Sequence, residues 1–219
     1  MQERQKKLLK TIIKEYIRTA EPVSSGLLVE KFKLPYSSAT VRNEMAILEE
    51  KGYIYQPYTS AGRVPTEKAY DFYITNLKPK KNDINFLVDK DNEDSLRRAA
   101  KNLAEKSGLA VFWAIHKNHL YYTGISNLLG QVEFKKYELA IDVSKVIDQL
   151  EDIITGIFTE VGYEPKILLG KKNPFGSALG AITVKYKGNV GDGMFGIIGP
   201  IRMDYEKCLG LVSDIINKL

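Results

Sequence analysis

Pro22, Pro35, Pro57 and Pro65 cut the first eighty residues into short pieces, and the apolar period changes from piece to piece. A proline pushes the residue before it out of the α region, so no helix runs through these points. Apolar residues from Gln2 to Thr19 fall at Leu8, Leu9, Ile12, Ile13, Tyr16 and Ile17, the single buried stripe of a helix whose other face carries Arg4, Lys6, Lys7, Lys10 and Lys14. Beyond Pro22, Ser24 and Ser25 are N-cap candidates for a short helix, Gly26 to Phe32, anchored by Leu27, Leu28 and Phe32. Leu34-Pro35-Tyr36 ends it. Ser37 or Ser38 caps a third helix reaching Lys51, with Val41, Met45 and Leu48 on its buried stripe and Gly52 just past its end. The period then shortens to a strand, Tyr53 to Gln56, followed by a loop from Pro57 to Gly62 and a second extended stretch, Arg63-Val64. Pro65-Thr66 opens a fourth helix to about Leu77, rich in aromatic mass from Tyr70, Phe72 and Tyr73.

Helix, helix-turn-helix and two-stranded wing is the order of a winged helix-turn-helix. Such a module places its third helix in the major groove, while helix starts and the wing hold phosphates. Ser38, Thr40, Arg42 and Asn43 lie off the buried stripe of the third helix, and Arg and Asn can read guanine and adenine edges through paired hydrogen bonds. Ser24, Ser25 and Ser37 offer hydroxyls and helix-start N–H groups suited to phosphate. In the wing, Tyr58, Thr59, Ser60 and Arg63 complete the expected DNA-binding set.

The charge distribution agrees. Residues 1 to 81 hold 15 Lys and Arg against 9 Asp and Glu, a net of +6, whereas 82 to 219 hold 17 against 18, a net of −1. A basic segment joined to a near-neutral one suits a nucleic-acid-binding module with a separate partner or sensor domain. The N-terminus has no secretory apolar region and no 18-residue apolar run occurs, so a cytoplasmic protein without membrane spans is expected. One cysteine, Cys208, excludes an intrachain disulfide and Cys-rich zinc sites. Two histidines leave little for acid–base chemistry, so the expectation is no catalysis, no metal and no cofactor.

Lys78-Pro79-Lys80-Lys81-Asn82-Asp83 reads as a polar linker. The expected organisation is a DNA-binding domain over 1–77, a linker over 78–91 and a second domain over 92–219. In the second domain, Asn92 or Asp94 precedes a helix to Ser107, ended by Gly108. Leu109 to Ile115 is a buried-strand run, turning at Lys117-Asn118 into His119 to Gly124. A helix over Ser144 to Phe158 is followed by strands at Lys166 to Leu169, Ala178 to Tyr186 and Met194 to Ile198, the last two joined by the glycine-rich Lys187 to Gly193. A helix from Asp204 to Lys218 closes the chain. Strands and helices mixed without strict βαβ alternation predict an α+β domain with an antiparallel sheet.

Three stretches carry a resemblance: SSATVRNEMAILEEKGYIYQPYTSAGRVPTEKAYDFY (Ser37 to Tyr73), GISNLLGQVEF (Gly124 to Phe134) and IIGPIRMDYEKCLGLV (Ile197 to Val212). Together they resemble the heat-inducible transcription repressor family, HrcA. The resemblance implies a winged-helix DNA-binding domain followed by a GAF-like domain, acting as a homodimer on double-stranded DNA at an inverted-repeat operator called CIRCE. It further implies a bacterial, nucleoid-associated repressor of chaperone operons, with the chaperonin GroEL as a partner that helps it reach its active form. Members of the family are usually longer, with an extra domain inserted in the GAF-like one, whereas here Ile115 reaches the GISNLL stretch across only His116 to Thr123. Dimerisation is then expected through other surfaces, the fourth helix and the GAF-like face. An alternative reading keeps the DNA-binding half and makes the GAF-like half a small-molecule sensor. A third, an enzyme fused to a DNA-targeting arm, lacks a nucleophile–base pair.

Other signals have plainer readings. Gly191-Asp192-Gly193-Met194-Phe195-Gly196 satisfies G-x-G-x-x-G, but it does not follow a strand and open a helix, as a dinucleotide site requires. His116 and His119 flank a turn with no further ligand nearby. Cys208 falls on an apolar stripe, and Asp204 and Arg202 suit a helix cap and a structural contact.

Overall fold

The structure is a computed structural model that describes residues 1–75, 77–80, 87–116, 119–170, 173–189 and 191–219. Its contacts divide the chain into two compact units, Met1–Leu77 and Lys78–Leu219. Part of the expected linker, 81–86, and the Lys117-Asn118 turn lie outside the described residues. Among the described residues no helix is long and apolar enough to cross a membrane.

In the first unit, α1 (Glu3–Thr19) ends where Ala20 turns left-handed at φ 57°. It is followed by α2 (Ser25–Phe32), α3 (Ser38–Glu50), β1 (Ile54–Tyr55), β2 (Val64–Pro65) and α4 (Glu67–Ile74). The apolar stripes meet in one core containing Leu9, Ile12, Ile13, Leu28, Val41, Leu48, Ile54 and Tyr70, all at most 2% exposed. Truncating any of the leucines there removes methylenes from a filled site, at about 2–5 kcal/mol. Polar contacts fix the crossing of α1 and α3: Gln5 donates to Glu44 at 3.0 Å, Arg4 pairs with the same carboxylate, and Lys51 donates to Gln5 at 3.2 Å. The wing strands pair antiparallel with Ile54 opposite Pro65 and Tyr55 opposite Val64. Tyr70 and Tyr73 of α4 are buried, so much of that helix's aromatic mass is enclosed in the unit's own core.

The second unit opens with α5 (Glu93–Ser107) and the antiparallel pair β3 (Ala110–His116) and β4 (His119–Thr123). Next come α6 (Ile125–Leu129), a 3-10 turn at Val132–Lys135, α7 (Tyr137–Asp148) and α8 (Leu150–Ile157). Then β5 (Lys166–Leu168), β6 (Leu179–Gly188), β7 (Gly191–Pro200) and α9 (Tyr205–Ile216) complete it. The sheet order is β4-β3-β7-β6-β5 with every pairing antiparallel, the α+β arrangement expected from the sequence.

The period-2 alternation of β3 sorts its side chains. Ala110, Phe112 and Ala114 join the core made with Leu128, Val143, Ile154 and Phe175 beneath α6, α7 and α8. Val111 and Trp113 project to the opposite face, where α5 packs on β3 and α9 packs on β6 and β7. There the Trp113 ring stacks on Phe195 with centroids 4.5 Å apart, and its indole N–H donates to the Tyr186 hydroxyl at 2.9 Å.

Two expectations change. The single helix over Ser144 to Phe158 is two, because Gln149 leaves helical geometry at φ −99°, ψ 10° and α7 begins earlier, at Tyr137. The glycine-rich stretch expected as a turn is mostly strand: β7 begins at Gly191, with Gly193 paired to Tyr186.

Candidate nucleic-acid interface

The expected site residues come from three pieces of backbone: the start of α2, the start and outer face of α3, and the wing. Ser24 caps α2, its hydroxyl accepting from the Leu27 N–H at 3.2 Å. Ser37 caps α3 in the same way, accepting from the Thr40 N–H at 3.1 Å, and its Oγ lies 3.0 Å from Thr40 Oγ1. Ser25 is buried and shares a hydrogen bond of 2.9 Å with Ser38, which ties the two helix starts together. Of these hydroxyls, Ser24 and Ser37 are exposed, while Thr40 and Ser38 are half-buried.

On α3, Val41, Met45 and Leu48 face inward and leave Arg42 and Asn43 exposed. Ala39 and Ala46, also exposed, flank them at helical spacing, so the outward stripe has two long polar side chains between small ones. The Arg42 guanidinium has no ion pair or hydrogen bond among the described residues.

The wing loop leaves β1 at Gln56 and enters β2 through Arg63. Tyr58 is 67% exposed, and Thr59 and Ser60 are exposed beside it, Ser60 in a left-handed turn at φ 66°. Arg63 is placed differently from a free wing cation. Its backbone pairs with Val23 in both directions, at 2.8 and 2.9 Å, and its Nε donates to Glu49 Oε2 at 2.9 Å. The neighbouring Gly62 lies so close to the α1–α2 connection that a Cβ there would come within 2.6 Å of the Pro22 and Val23 carbonyl oxygens.

Ser24, Ser25, Arg42, Ser60 and Arg63 line one concavity of about 430 Å³, together with Met45, Gln56, Ala61 and Gly62. Ser37, Ser38 and Thr40 form a second group at the start of α3. Asn43, Tyr58 and Thr59 stand outside the concavity. Gln56 and Glu49 belong to the site's framework and were not legible in the sequence, since only the folded wing brings them to Ala61 and Arg63.

The second unit's signals resolve structurally. Gly196 sits under the Phe112 ring, where a Cβ would lie 2.7 Å from Cε1, and Gly193 lies under the ring of Tyr186. The G-x-G-x-x-G spacing therefore makes room for rings on a strand and forms no phosphate loop. His116 and His119 pack edge to face, with His119 3.3 Å from Glu93, and among the described residues no group of three metal-ligand side chains occurs. Burial pushes the Cys208 thiol up to about 12, which makes it a poor nucleophile. Arg202 pairs with Glu133 and donates to Gln131 at 3.2 Å, locking the turn after α6 onto the loop before α9. Asp204 caps α9, accepting from the Lys207 N–H at 3.0 Å.

Comparison with known proteins gives a family match. The model of the HrcA protein C-terminal domain matches residues 70–209. The heat-inducible transcription repressor HrcA of Acetivibrio thermocellus is 56% identical over 77 residues, which is 35% of this chain and 22% of that protein. The repressor of the same name from Desulforamulus reducens is 44% identical over 108 residues, 49% of this chain and 30% of that protein. The chain thus spans well under half the length of these relatives. Among solved structures, one described as the crystal structure of a hypothetical protein at 2.2 Å resolution superposes with a TM-score of 0.79 at 20% identity, covering 100% of this chain and 96% of that one. Its likeness bears on the fold: a winged helix-turn-helix followed by a GAF-like domain with an antiparallel sheet.

Proposed function

Because this chain belongs to the HrcA family, we propose that it is a transcription repressor of heat-shock genes that binds double-stranded DNA through its winged-helix unit and catalyses no reaction. The observation that carries the proposal is the convergence of the α2 start, the outer face of α3 and the wing on one concavity, lined in part by an exposed Arg42 that has no partner among the described residues. In this reading α3 enters the major groove, Arg42 and Asn43 meet base edges, and Ser24, Ser37 and the wing tip meet the backbone. Ser25, Ser38 and Thr40 hold the helix starts in register, and Arg63 stands at the wing's base.

The protein acts in the cytoplasm as a homodimer on an inverted repeat of the CIRCE type, and chaperonin GroEL helps it reach its DNA-binding form. The short β3–β4 connection leaves dimerisation to surfaces other than an inserted domain.

The test is fluorescence anisotropy on three duplexes, the CIRCE inverted repeat, a scrambled sequence and a single half-site, across a range of salt. Binding that is tight only with both arms present is the expected result. Equal, salt-sensitive binding to all three would overturn the operator assignment, and no binding to any would overturn the DNA-binding reading itself.

A further inference from the structure

Glu49 is an acid on the helix proposed to face DNA, seven residues after Arg42. Each of its carboxylate oxygens holds one end of the wing. Oε1 accepts the backbone N–H of Gln56 at 2.9 Å, where the chain leaves β1. Oε2 accepts from Arg63 Nε at 2.9 Å and lies 2.9 Å from Arg63 Nη2, where the chain enters β2. From that base the loop is braced inward: the Gln56 side-chain amide donates to the Ala61 carbonyl at 3.0 Å, and the Ala61 N–H donates to the Tyr58 carbonyl at 3.0 Å. Arg63 is the only cation between Gln56 and Arg63, and it is bound to Glu49, so the tip presents the uncharged Tyr58, Thr59 and Ser60.

We infer that Glu49 and Arg63 form a clamp that sets the wing tip against DNA, with Glu49 a positioning residue acting through Arg63 and Gln56, and with the wing contributing uncharged contacts in place of a phosphate-binding guanidinium. The inference rests on the DNA-binding reading above. It makes a prediction opposite in sign to simple charge counting. Removing an acid from a DNA-facing helix strengthens attraction to a polyanion, and a freed Arg63 on a phosphate would steepen the salt dependence by about one counterion. Under the clamp, the same substitution loosens the wing and weakens binding.

The experiment compares the 219-residue wild-type chain with Glu49→Gln, Arg63→Gln and the double variant by anisotropy on the inverted-repeat duplex and on a random duplex across salt, with circular dichroism melts alongside. Each single variant is expected to weaken inverted-repeat binding by about tenfold, the effect of losing one charge-assisted hydrogen-bonded pair. The double variant should be no weaker than either single one, because both break the same contact. The salt slope should stay at the wild-type value. Glu49→Asp keeps the charge but is too short to hold both ends of the wing, so it too should bind more weakly, and it decides the matter if Glu49→Gln fails to fold. Binding by Glu49→Gln as tight as or tighter than wild type overturns the clamp, as does a slope lowered by about one in Arg63→Gln. Absence of wild-type binding to both duplexes would instead overturn the DNA-binding reading, and the clamp with it, before any variant is measured.

Discussion

Arg42→Ala tests the reading helix with little interference from folding. The side chain is exposed on α3 and has no partner among the described residues. Alanine is a slightly better helix former, so the fold should keep its stability to within about 0.5 kcal/mol. A paired contact to one base is worth about 1–3 kcal/mol of discrimination, roughly a factor of 5 to 150 in affinity. The proposed homodimer would lose that contact on both arms, and separated positions add, so the inverted repeat should suffer about 2–6 kcal/mol against about half that on a single half-site. Anisotropy on the inverted repeat, the half-site and a scrambled duplex separates the cases. Loss confined to the first two confirms base reading. An equal loss on all three places Arg42 on a phosphate, and undiminished binding to all three refutes the placement of α3 in the groove.

Three further outcomes follow from the packing and the buried acid. Tyr186→Phe leaves the Trp113 indole N–H without the acceptor it has at 2.9 Å, which should cost about 1–3 kcal/mol in a urea titration followed by Trp113 fluorescence, and an unmoved midpoint would show that the bond contributes nothing. Gly196→Ala would place a methyl against Phe112 at 2.7 Å and should destabilise by about 1–3 kcal/mol, while adenine dinucleotides leave the wild-type melting temperature where it was; a rise in that temperature would revive a nucleotide site. Arg18 chiefly, and Lys31, hold the Glu15 carboxyl below its ordinary value of 4.5 against the opposing effect of burial. The folded state therefore binds this proton less readily than the unfolded chain, and its stabilisation is full above about pH 4.5 and drains as pH falls through the lower folded value. Glu15→Gln should flatten that part of the acid limb in melts from about pH 3 to 6, and an identical limb would assign the loss to other groups.

What could be read in the sequence was what local chemistry dictates. Ser24, Ser37 and Asp204 each accept the helix-start N–H that their positions suggested, and Asn92 does the same for Ser95 at 3.1 Å. The unbroken apolar run at the start of β3 belongs to a strand covered on both faces. The misread segments are those where tertiary contacts override local preference. Glycine weakens a strand, so Gly191 and Gly193 suggest a turn, yet the ring of Tyr186 occupies the space a side chain would need at Gly193. α7 buries only Val143 fully and so shows a faint apolar period, and no proline or glycine announces its break from α8 at Gln149. In the site, residue types were legible but their commitments were not. Ser25 and Ser38 lie 13 positions apart and Glu49 and Arg63 14 apart, and no local pattern reveals that each pair closes on itself.

Those commitments separate two properties that the sequence presents as one. The first unit, residues 1–77, holds 12 Lys and Arg against 9 Asp and Glu, a net charge of +3, and several of its cations are already paired: Arg4 with Glu44, Lys6 with Glu3, Arg18 and Lys31 with Glu15, and Arg63 with Glu49. Pairing cancels a charge at contact range but leaves the sum, and a field that reaches about 8–10 Å at physiological salt responds to the sum. In the proposed function, attraction to DNA would therefore come from the whole unit, including the exposed Lys7 and Lys10 on α1. At the concavity itself the situation reverses: Arg63 is neutralised, the wing tip is uncharged, and Arg42 keeps its guanidinium available. On the proposed DNA-binding reading, capture of DNA and discrimination between sequences would thus rest on different residues. Weakening the first by salt should leave the ratio of specific to random binding governed by the few side chains on the outer face of α3.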